Sequence, residues 1–148
     1  MHEVVVTLPH KRKIAVPYGT PLGTLMTHFC EESKDCPVVA CFVNNELTSL
    51  SYKLKFNATL VPVTLDTPTG VTVYRRSLCF LLTVAARELF PGKTLTIGIS
   101  ISDGYFYFFP EQEFVPVEEL SALEERMREI VNLDIPIRRT VMSYHDAL

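Results

Sequence analysis

Residues 76 and 80 lie four apart in the longest helical pattern of the chain, a spacing at which two side chains can act together. Apolar residues recur three and four positions apart over residues 74–90, and Pro91 and Gly92 end the pattern. Two histidines at this spacing would hold a metal ion or transfer protons. The residues present are Arg76 and Phe80, which do neither. The apolar positions of the pattern are Leu78, Leu81, Leu82, Ala85, Ala86 and Leu89.

Histidine and cysteine residues form no metal-ligand pattern elsewhere in the sequence. The sequence contains no His-x-x-x-His, His-Glu-x-x-His or clustered Cys/His motif, so we expect no metal site. No two cysteines form a Cys-x-x-Cys pair, and we expect reduced thiols in a cytoplasmic protein. Cys79 has no neighbouring base in sequence and is better explained as a packing residue than as a nucleophile. The histidines are His2, His10, His28 and His145, and the cysteines are Cys30, Cys36, Cys41 and Cys79.

Three small groups of basic residues are candidates for contact with RNA or another anion. One pair is predicted near the start of the helix, where cations oppose the helix dipole. A second group falls in the first hairpin turn, where it either contacts RNA phosphates or is simply solvated. The alternative for each group is solvated or ion-paired surface charge. The pair near the helix start is Arg75 and Arg76, and the group in the hairpin turn is Lys11, Arg12 and Lys13. A third and weaker pair is Arg138 and Arg139.

An aromatic run over residues 105–109 has two explanations. The sequence Tyr-Phe-Tyr-Phe-Phe offers ring faces on which bases can stack. It also fits a central core strand that is apolar on both sides, because alternate residues of a strand point to opposite faces. The glutamate-rich segment over residues 118–129 is predicted to be a solvated helix face, because no apolar pocket would raise a carboxyl pKa there.

Size and composition fit one medium or two small globular domains. The 148 residues are 47% hydrophobic and 21% charged, which is enough apolar material for a buried core. The net charge of -3 argues against a protein that coats nucleic acid, although it permits a local basic patch. No apolar run approaches the roughly 20 residues of a membrane helix, and the first residues show no signal-peptide pattern.

The first 65 residues predict a small α+β domain. Leu22, Leu25, Met26 and Phe29 share one helical face, and this helix would cover one face of a mixed sheet. Pro62 in the last strand predicts an edge position or an interrupted ladder. The predicted strands, which are β-branched or alternate polar and apolar residues, cover residues 3–8, 12–16, 38–43, 47–50 and 59–65.

A polar segment containing proline and glycine, residues 66–70, predicts a link between two domains. We therefore predict one domain over residues 1–66 and a second over residues 67–148. The second would contain the helix over 74–90, a hairpin of strands over 94–101 and 105–109, a helix over 116–132 and a strand over 135–142. The second helix of that domain would bury Leu120, Leu123, Met127, Ile130 and Val131. Residues 143–148 look like the start of a further helix, so we expect a fragment whose second domain is incomplete at its C-terminus.

Residues 3–65 resemble a TGS domain, the ubiquitin-like β-grasp module of threonyl-tRNA synthetase and some GTPases. The matching features are the valine-rich hairpin, Val-Pro-Tyr-Gly-Thr-Pro at 16–21, Val-Asn-Asn-Glu-Leu at 43–47 and the closing strand. Residues 70–148 resemble the second N-terminal domain of threonyl-tRNA synthetase, which alanyl-tRNA synthetase editing domains share. The matching segments of that domain are residues 75–91, 97–107 and 117–136. The resemblance implies an α+β chain in which a β-grasp domain precedes an editing-domain-like α+β domain.

The chain departs from the editing-domain pattern at its helix. In the family, this helix carries His-x-x-x-His, and a later Cys-x-x-x-His completes the site. Arg76 and Phe80 occupy the first two positions here, and the later pair would fall beyond Leu148. The resemblance therefore implies degenerate editing-site positions and no catalytic residue in this chain.

The segment Arg-Arg-Ser-Leu-x-Phe-Leu-Leu, residues 75–82, also resembles the N-terminal half of a group of bacterial nucleoside kinases. Those proteins place a TGS and synthetase-like region ahead of a uridine kinase or phosphoribulokinase-type domain. The resemblance implies a parent enzyme that uses ATP and Mg²⁺. The phosphate-binding motif Gly-x-x-x-x-Gly-Lys-Ser/Thr is absent from this sequence, so we expect no cofactor in this chain itself.

Three functions are open on the sequence alone. The leading hypothesis is a non-catalytic accessory or regulatory region of an ATP-dependent uridine kinase, which would contact its own kinase domain and bind RNA or a small regulatory ligand. The alternatives are a threonyl-tRNA synthetase-type editing module with a degenerate active site, and a stand-alone RNA-binding module. We expect no membrane association. The sequence leaves the ligand, the parent substrate and the oligomeric state undetermined.

Overall fold

A computed structural model describes residues 2–29, 37–102, 104–137 and 140–147. The chain divides into two compact units, Met1–Ser77 and Leu78–Leu148. The predicted domain boundary between residues 66 and 67 stays a prediction. Within the described ranges, no helix combines the length and apolar character needed to cross a membrane.

The first unit is built on a five-stranded mixed sheet. Its strands are β1 (Glu3–Thr7), β2 (Lys13–Pro17), β3 (Val38–Val43), β4 (Glu46–Thr48) and β5 (Ala58–Thr64). Their order across the sheet is β2-β1-β5-β3-β4, with β1 and β5 parallel and the other neighbours antiparallel. A hairpin whose first strand lies parallel to the last strand is the β-grasp arrangement. The predicted α+β fold class is therefore confirmed.

Alternation along the strands directs one set of side chains into the core of this unit. Val4 and Val6 on β1 are buried, whereas Val5 between them is 42% exposed. A 3₁₀ turn over Leu22–Leu25 runs into the short helix α1 (Met26–Phe29), which packs on the buried face. The buried side chains of this helical segment are Leu22, Leu25 and Phe29.

Pro62 lies in the central strand β5, so of the two predicted alternatives the edge position is wrong and the interrupted ladder is the one observed. The parallel pairing of β5 with β1 ends at Thr59, so Pro62 lies where β5 has one strand neighbour among the described residues. Pro62 is opposite Cys41, next to a register shift between Val38 and Ala40. The missing N–H of proline is tolerated there because the ladder is already one-sided and irregular.

Helix α2 (Pro68–Leu89) begins earlier than the sequence pattern predicted. Thr67 caps it, because the Gly70 N–H donates to Thr67 Oγ1 at 3.1 Å. The Thr67 hydroxyl in turn donates to the Thr64 carbonyl at 2.7 Å. Pro68 takes the first helical position, where no N–H donor is needed. Residues 68–70, predicted as part of a link, are thus the first turn of the helix.

The second unit packs the C-terminal part of α2 with a hairpin and a helix. The hairpin consists of β6 (Thr96–Ile101) and β7 (Gly104–Phe108), and the helix is α3 (Val117–Asn132). Its fully buried core is small, and Phe109 is its largest member, edge-on to Phe90 with ring centroids 5.8 Å apart. The buried core residues are Ala85, Ala86, Phe109 and Leu123, with Leu82, Phe90, Leu95, Val115, Met127 and Ile130 packed around them.

The predicted hairpin is present. The position of β7 in its sheet and the chain after α3 differ from the prediction. β7 pairs with β6 in a two-stranded sheet, so among the described residues it is not a central core strand. Residues 135–137 and 140–142 form no strand, and residues 138–139 lie outside the described residues. The predicted helix start near the end of the chain is a 3₁₀ turn, His145–Ala147.

Some side chains predicted to be buried in the second unit are exposed. Leu78 and Leu89, at the two ends of the apolar face of α2, are 38% and 37% exposed. Leu120 and Val131 on α3 are 37% and 61% exposed. The described residues of this unit therefore bury only the middle of each helical face.

Lys93, which lies between α2 and β6, contacts α3 through Glu119. Its Nζ donates to Gln112 Oε1 at 2.7 Å and to Glu119 Oε1 at 2.6 Å. The same ammonium lies 4.8 Å from the ring centroid of Phe90 and 5.5 Å from that of Phe109. Gln112 Nε2 completes the cluster by donating to Glu119 Oε2 at 3.1 Å.

This cluster makes the stability of the second unit sensitive to acid. The hydrogen bond from Lys93 and then that from Gln112 hold the pKa of Glu119 below its ordinary value of 4.5. Because the folded pKa is the lower one, the contribution is complete above about pH 4.5 and is lost as the pH falls through the folded value. We expect the melting temperature of a Glu119→Gln variant to fall less on acidification than that of the wild type. Parallel acid profiles of the two proteins would show that this carboxylate is not the sensitive group.

Candidate functional site

Helix α2 carries Arg76 and Phe80, the two residues that the resemblance predicts in place of the editing histidines. Arg76 and Phe80 lie four residues apart in one continuous helix, so their side chains leave the same side of it. Arg76 is exposed, and Phe80 is 53% exposed. A cation and an aromatic ring are therefore presented next to each other on the helix surface.

Neither side chain supplies hydrolytic chemistry. An arginine guanidinium does not give up its proton in a protein, and a phenyl ring has no donor or acceptor atom. The nearby Ser77 hydroxyl donates to the Val73 carbonyl at 2.9 Å, one turn back in the helix. Within the described parts of the chain, no three His, Cys, Asp or Glu side chains are grouped so that they could hold a metal ion. The helix surface suits contact with an anion better than proton transfer.

The position of the two arginines in the helix differs from the prediction. Because α2 begins at Pro68, Arg75 and Arg76 lie in its third turn and not at its start. The helix dipole acts mainly on the first and last turns, so the predicted unfavourable interaction with it is wrong. Arg76 remains an exposed cation, while Arg75 is half-buried.

The turn between β1 and β2 brings the second basic group together, as the sequence predicted. Pro9–Lys11 forms a 3₁₀ turn in which His10 and Lys11 have φ angles of 57° and 60°. The Leu8 N–H donates to the Arg12 carbonyl at 2.7 Å and closes the turn. Lys11, Arg12 and Lys13 are all exposed. The third basic pair, Arg138 and Arg139, lies outside the described residues.

Lys13 also lines an open depression on the first unit, which sequence reasoning did not find. The depression has a volume of about 260 Å³. Asn57 Oδ1 accepts a hydrogen bond from the Val5 N–H at 2.7 Å, and Asn44 Oδ1 accepts one from the Thr59 N–H at 2.8 Å. The residues that line it are Val5, Thr7, Lys13, Asn44, Asn57, Ala58 and Thr59. The only signal in the sequence is Asn44, because asparagine tolerates left-handed backbone angles and is found here with a φ of 48°.

An aromatic pair on β7 occupies the exposed side of the hairpin. The Phe106 and Phe108 rings are stacked, with centroids 5.7 Å apart and planes 29° apart. They are 51% and 36% exposed. The backbone of Gly98 on β6 lies beneath them, because a Cβ there would be 3.6 Å from the Phe106 ring. The Phe106 and Phe108 rings carry no acid, base or nucleophile, so this pair could stack against a ligand but could not catalyse a reaction.

Cys41 is the most shielded thiol among the described residues. It is fully buried on β3, and burial raises its pKa to about 11, which outweighs the lowering effect of a backbone hydrogen bond at Val61. At pH 8 only about one molecule in a thousand would then carry the reactive thiolate. Cys79 on α2 is partly exposed.

We expect a thiol-alkylating reagent at pH 8 to modify Cys79 in the folded protein and to leave Cys41 unmodified. Peptide mapping by mass spectrometry distinguishes the two sites, and unfolding in denaturant should expose Cys41 and serves as the control. Rapid labelling of Cys41 in the folded protein would contradict the buried environment.

Comparison with known proteins shows which proteins contain a region similar to this chain. No protein-family model matches the chain. The chain is 42% identical to the threonine–tRNA ligase of Desulforamulus reducens over 107 residues, which are 72% of this chain and 17% of the ligase. It is 33% identical to the threonine–tRNA ligase of Rubrobacter xylanophilus over 142 residues, 96% of this chain and 22% of the ligase. The threonine–tRNA ligase of Maricaulis maris is 32% identical over 143 residues, 97% of this chain and 22% of the ligase. The chain spans about a fifth of the length of the curated relatives it matches.

These relatives correct the leading hypothesis from the sequence. They are threonine–tRNA ligases, and nothing among them points to a uridine or nucleoside kinase, so that expectation is wrong. ATP and Mg²⁺ were expected for the kinase domain alone, and the relatives do not test them. The chain is homologous to a region of threonine–tRNA ligases, in agreement with the resemblance of residues 3–65 and 70–148 to synthetase domains.

Proposed function

We propose that this chain is a tRNA-holding module of the threonyl-tRNA synthetase type, acting in the cytoplasm, whose editing-domain-like part, residues 67–148, no longer hydrolyses the aminoacyl ester. The observation that carries the proposal is the pair Arg76 and Phe80 on α2. The resemblance to the editing domain implies that they replace its two histidines, and the chain is 33% identical to a threonine–tRNA ligase over 142 residues. The similarity to the ligases supports a tRNA ligand. Arg76 and Phe80 supply none of the groups that hydrolysis of an aminoacyl ester requires.

The properties of the helix surface support retained binding. An exposed guanidinium forms charge-assisted hydrogen bonds with a phosphate, and an exposed phenyl ring stacks on a base or ribose. Arg76 and Phe80 offer both within one helical turn. This combination binds RNA without acting on the ester bond, since neither group moves a proton or polarises a carbonyl through a metal.

Because the net charge of the chain is -3, we expect it to contact RNA at a local patch and not over its whole surface. On α3, both arginines are paired with glutamates, with Arg128 Nη2 2.5 Å from Glu124 Oε1 and Arg126 Nη1 2.6 Å from Glu129 Oε2. These pairs reduce the attraction of that surface for phosphate. We therefore assign the contact to α2.

A salt-dependent titration tests the proposal. We expect labelled tRNA to bind the chain with an affinity that falls steeply between low and moderate salt. An Arg76→Gln variant should bind more weakly at both salt concentrations and lower the salt slope by about 1, because one phosphate contact is lost. Arg128→Gln is the matched control, since it removes the same charge from a side chain already paired with Glu124. Absent or salt-independent binding, or equal losses in the two variants, would overturn the proposal.

A further inference from the structure

We infer that the depression on the first unit is a phosphate-binding site formed by Lys13, Asn44 and Asn57. These residues come from three separate parts of the chain and line one open cavity of about 260 Å³. The site lies within the first unit and does not depend on the function proposed for α2. Its ligand class follows from the hydrogen-bonding groups that it presents.

Each asparagine uses its Oδ1 to accept a backbone hydrogen bond, and this bond fixes the orientation of its amide. Asn57 Oδ1 accepts from the Val5 N–H at 2.7 Å, and Asn44 Oδ1 accepts from the Thr59 N–H at 2.8 Å. The bonds satisfy the backbone N–H groups of Val5, in the middle of β1, and Thr59, near the start of β5. They also fix which side of each amide is oxygen. Each Nδ2 therefore keeps two N–H donors for a ligand.

Lys13 adds a positive charge to these donors. Its side chain is exposed, and none of the described carboxylates lies within ion-pairing distance of it. The hydroxyls of Thr7 and Thr59 line the same depression. No carboxylate is among the lining residues, so the depression offers donors and a cation but no strong anionic ligand for a metal ion.

A phosphate group matches this set better than a carboxylate does. Phosphate has at least three accessible acceptor oxygens for the ammonium and the two amide groups, whereas a carboxylate has two. The depression is open to solvent, so a group attached to the phosphate is not confined within it. The shared chemistry is a phosphate ester, free as a mononucleotide or carried by RNA.

Nuclear magnetic resonance of the ¹⁵N-labelled chain tests this site directly. Inorganic phosphate, uridine monophosphate and a short uridine oligonucleotide are titrated separately, with chloride at equal ionic strength as the blank. We expect saturable shifts of the Asn44 and Asn57 side-chain amides and of the Val5 and Thr59 backbone amides. Tighter binding of the oligonucleotide than of the mononucleotide identifies RNA as the source, and equal binding identifies a free phosphate ester. Shifts that do not saturate, or that chloride reproduces, would overturn the site.

Three variants separate the site from general charge effects. Lys13→Gln should weaken phosphate binding by about fivefold or more, because a charge-assisted hydrogen bond is lost. Asn57→Asp keeps the Oδ1 acceptor for Val5 but replaces the donor with a negative charge, so binding should disappear while the melting temperature changes little. Lys55→Gln removes an exposed lysine that does not line the depression, and it should leave binding unchanged. Equal effects of Lys13→Gln and Lys55→Gln would contradict the proposal.

The site and the proposed tRNA contact on α2 can fail independently. An Arg76→Gln chain should keep the phosphate-induced shifts of the first unit even where its affinity for tRNA has fallen. Loss of those shifts in Arg76→Gln would show that the depression is not a separate site.

Discussion

Replacing Phe109 with alanine is expected to unfold the second unit of the chain. Phe109 is fully buried and is the largest side chain in a core whose other buried members are Ala85, Ala86 and Leu123. Removing a buried phenyl ring costs about 3–5 kcal/mol, which is a large part of the stability of a small unit. The substitution also removes the edge-on contact with Phe90.

The matched control for this prediction is Phe106→Ala on the adjacent strand. Phe106 is 51% exposed, so its removal should cost far less than the removal of Phe109. Amide hydrogen exchange read separately in residues 2–77 and 78–147 measures the effect in each unit. Loss of protection in the second unit of Phe109→Ala, with protection kept in the first, is the expected result. Equal stability of the two variants would show that the ring does not hold this core together.

Gly70→Ala should strongly destabilise the junction between β5 and α2. A Cβ at this position would lie 1.9 Å from the Thr64 carbonyl oxygen and 2.7 Å from its carbon, which are backbone atoms and cannot rotate away. Overpacking of this kind costs about 1–3 kcal/mol and occasionally more, which outweighs the gain of about 1 kcal/mol from the better helix propensity of alanine. The Thr67 cap would be displaced as well.

Gly92→Ala provides the control for that clash. No atom lies within 4 Å of a Cβ built at Gly92, so this variant should melt within about a degree or two of the wild type. Chemical denaturation of the two variants gives the comparison. A Gly70→Ala chain as stable as Gly92→Ala would mean that the start of α2 can move away from Thr64.

Local patterns in the sequence predicted the β-grasp elements well because they depend on neighbouring residues. The β-branched run Val4–Val6 identified β1, and the apolar spacing through Leu22 and Phe29 identified the helical segment on the sheet. The start of α2 was misplaced although its signals were present. Thr67 and Pro68 are a cap and a first helical residue, but the adjacent Gly70 favoured a link. That glycine is required by the close approach of Thr64, which only the tertiary structure reveals.

Features that depend on distant partners were not predictable. Pro62 suggested an edge strand, yet β5 is central and Pro62 is tolerated only because β1 ends before it. Residues 135–137 and 140–142 have strand-like composition, but a strand also needs a partner to pair with its backbone, and the described residues supply none. β propensity alone therefore overestimated regular structure in the second unit.

The two candidate sites also differ in how far they depend on residues that are distant in sequence. Arg76 and Phe80 were recognisable in sequence because four residues of helix fix their relation. The depression of Lys13, Asn44 and Asn57 was not, because the sheet order brings together the first residue of β2, the turn between β3 and β4, and the residue before β5. No spacing along the chain encodes that proximity.

Hydrolysis of misacylated tRNA under saturating conditions tests the central claim most directly. The chain is incubated with labelled misacylated tRNA at a concentration at which the titration shows nearly complete binding, beside buffer alone and a threonine–tRNA ligase whose helix carries both histidines. The account predicts that the bound ester decays at the rate measured in buffer, because Arg76 and Phe80 provide no base and no metal ligand. Decay that accelerates in proportion to the bound fraction would contradict it.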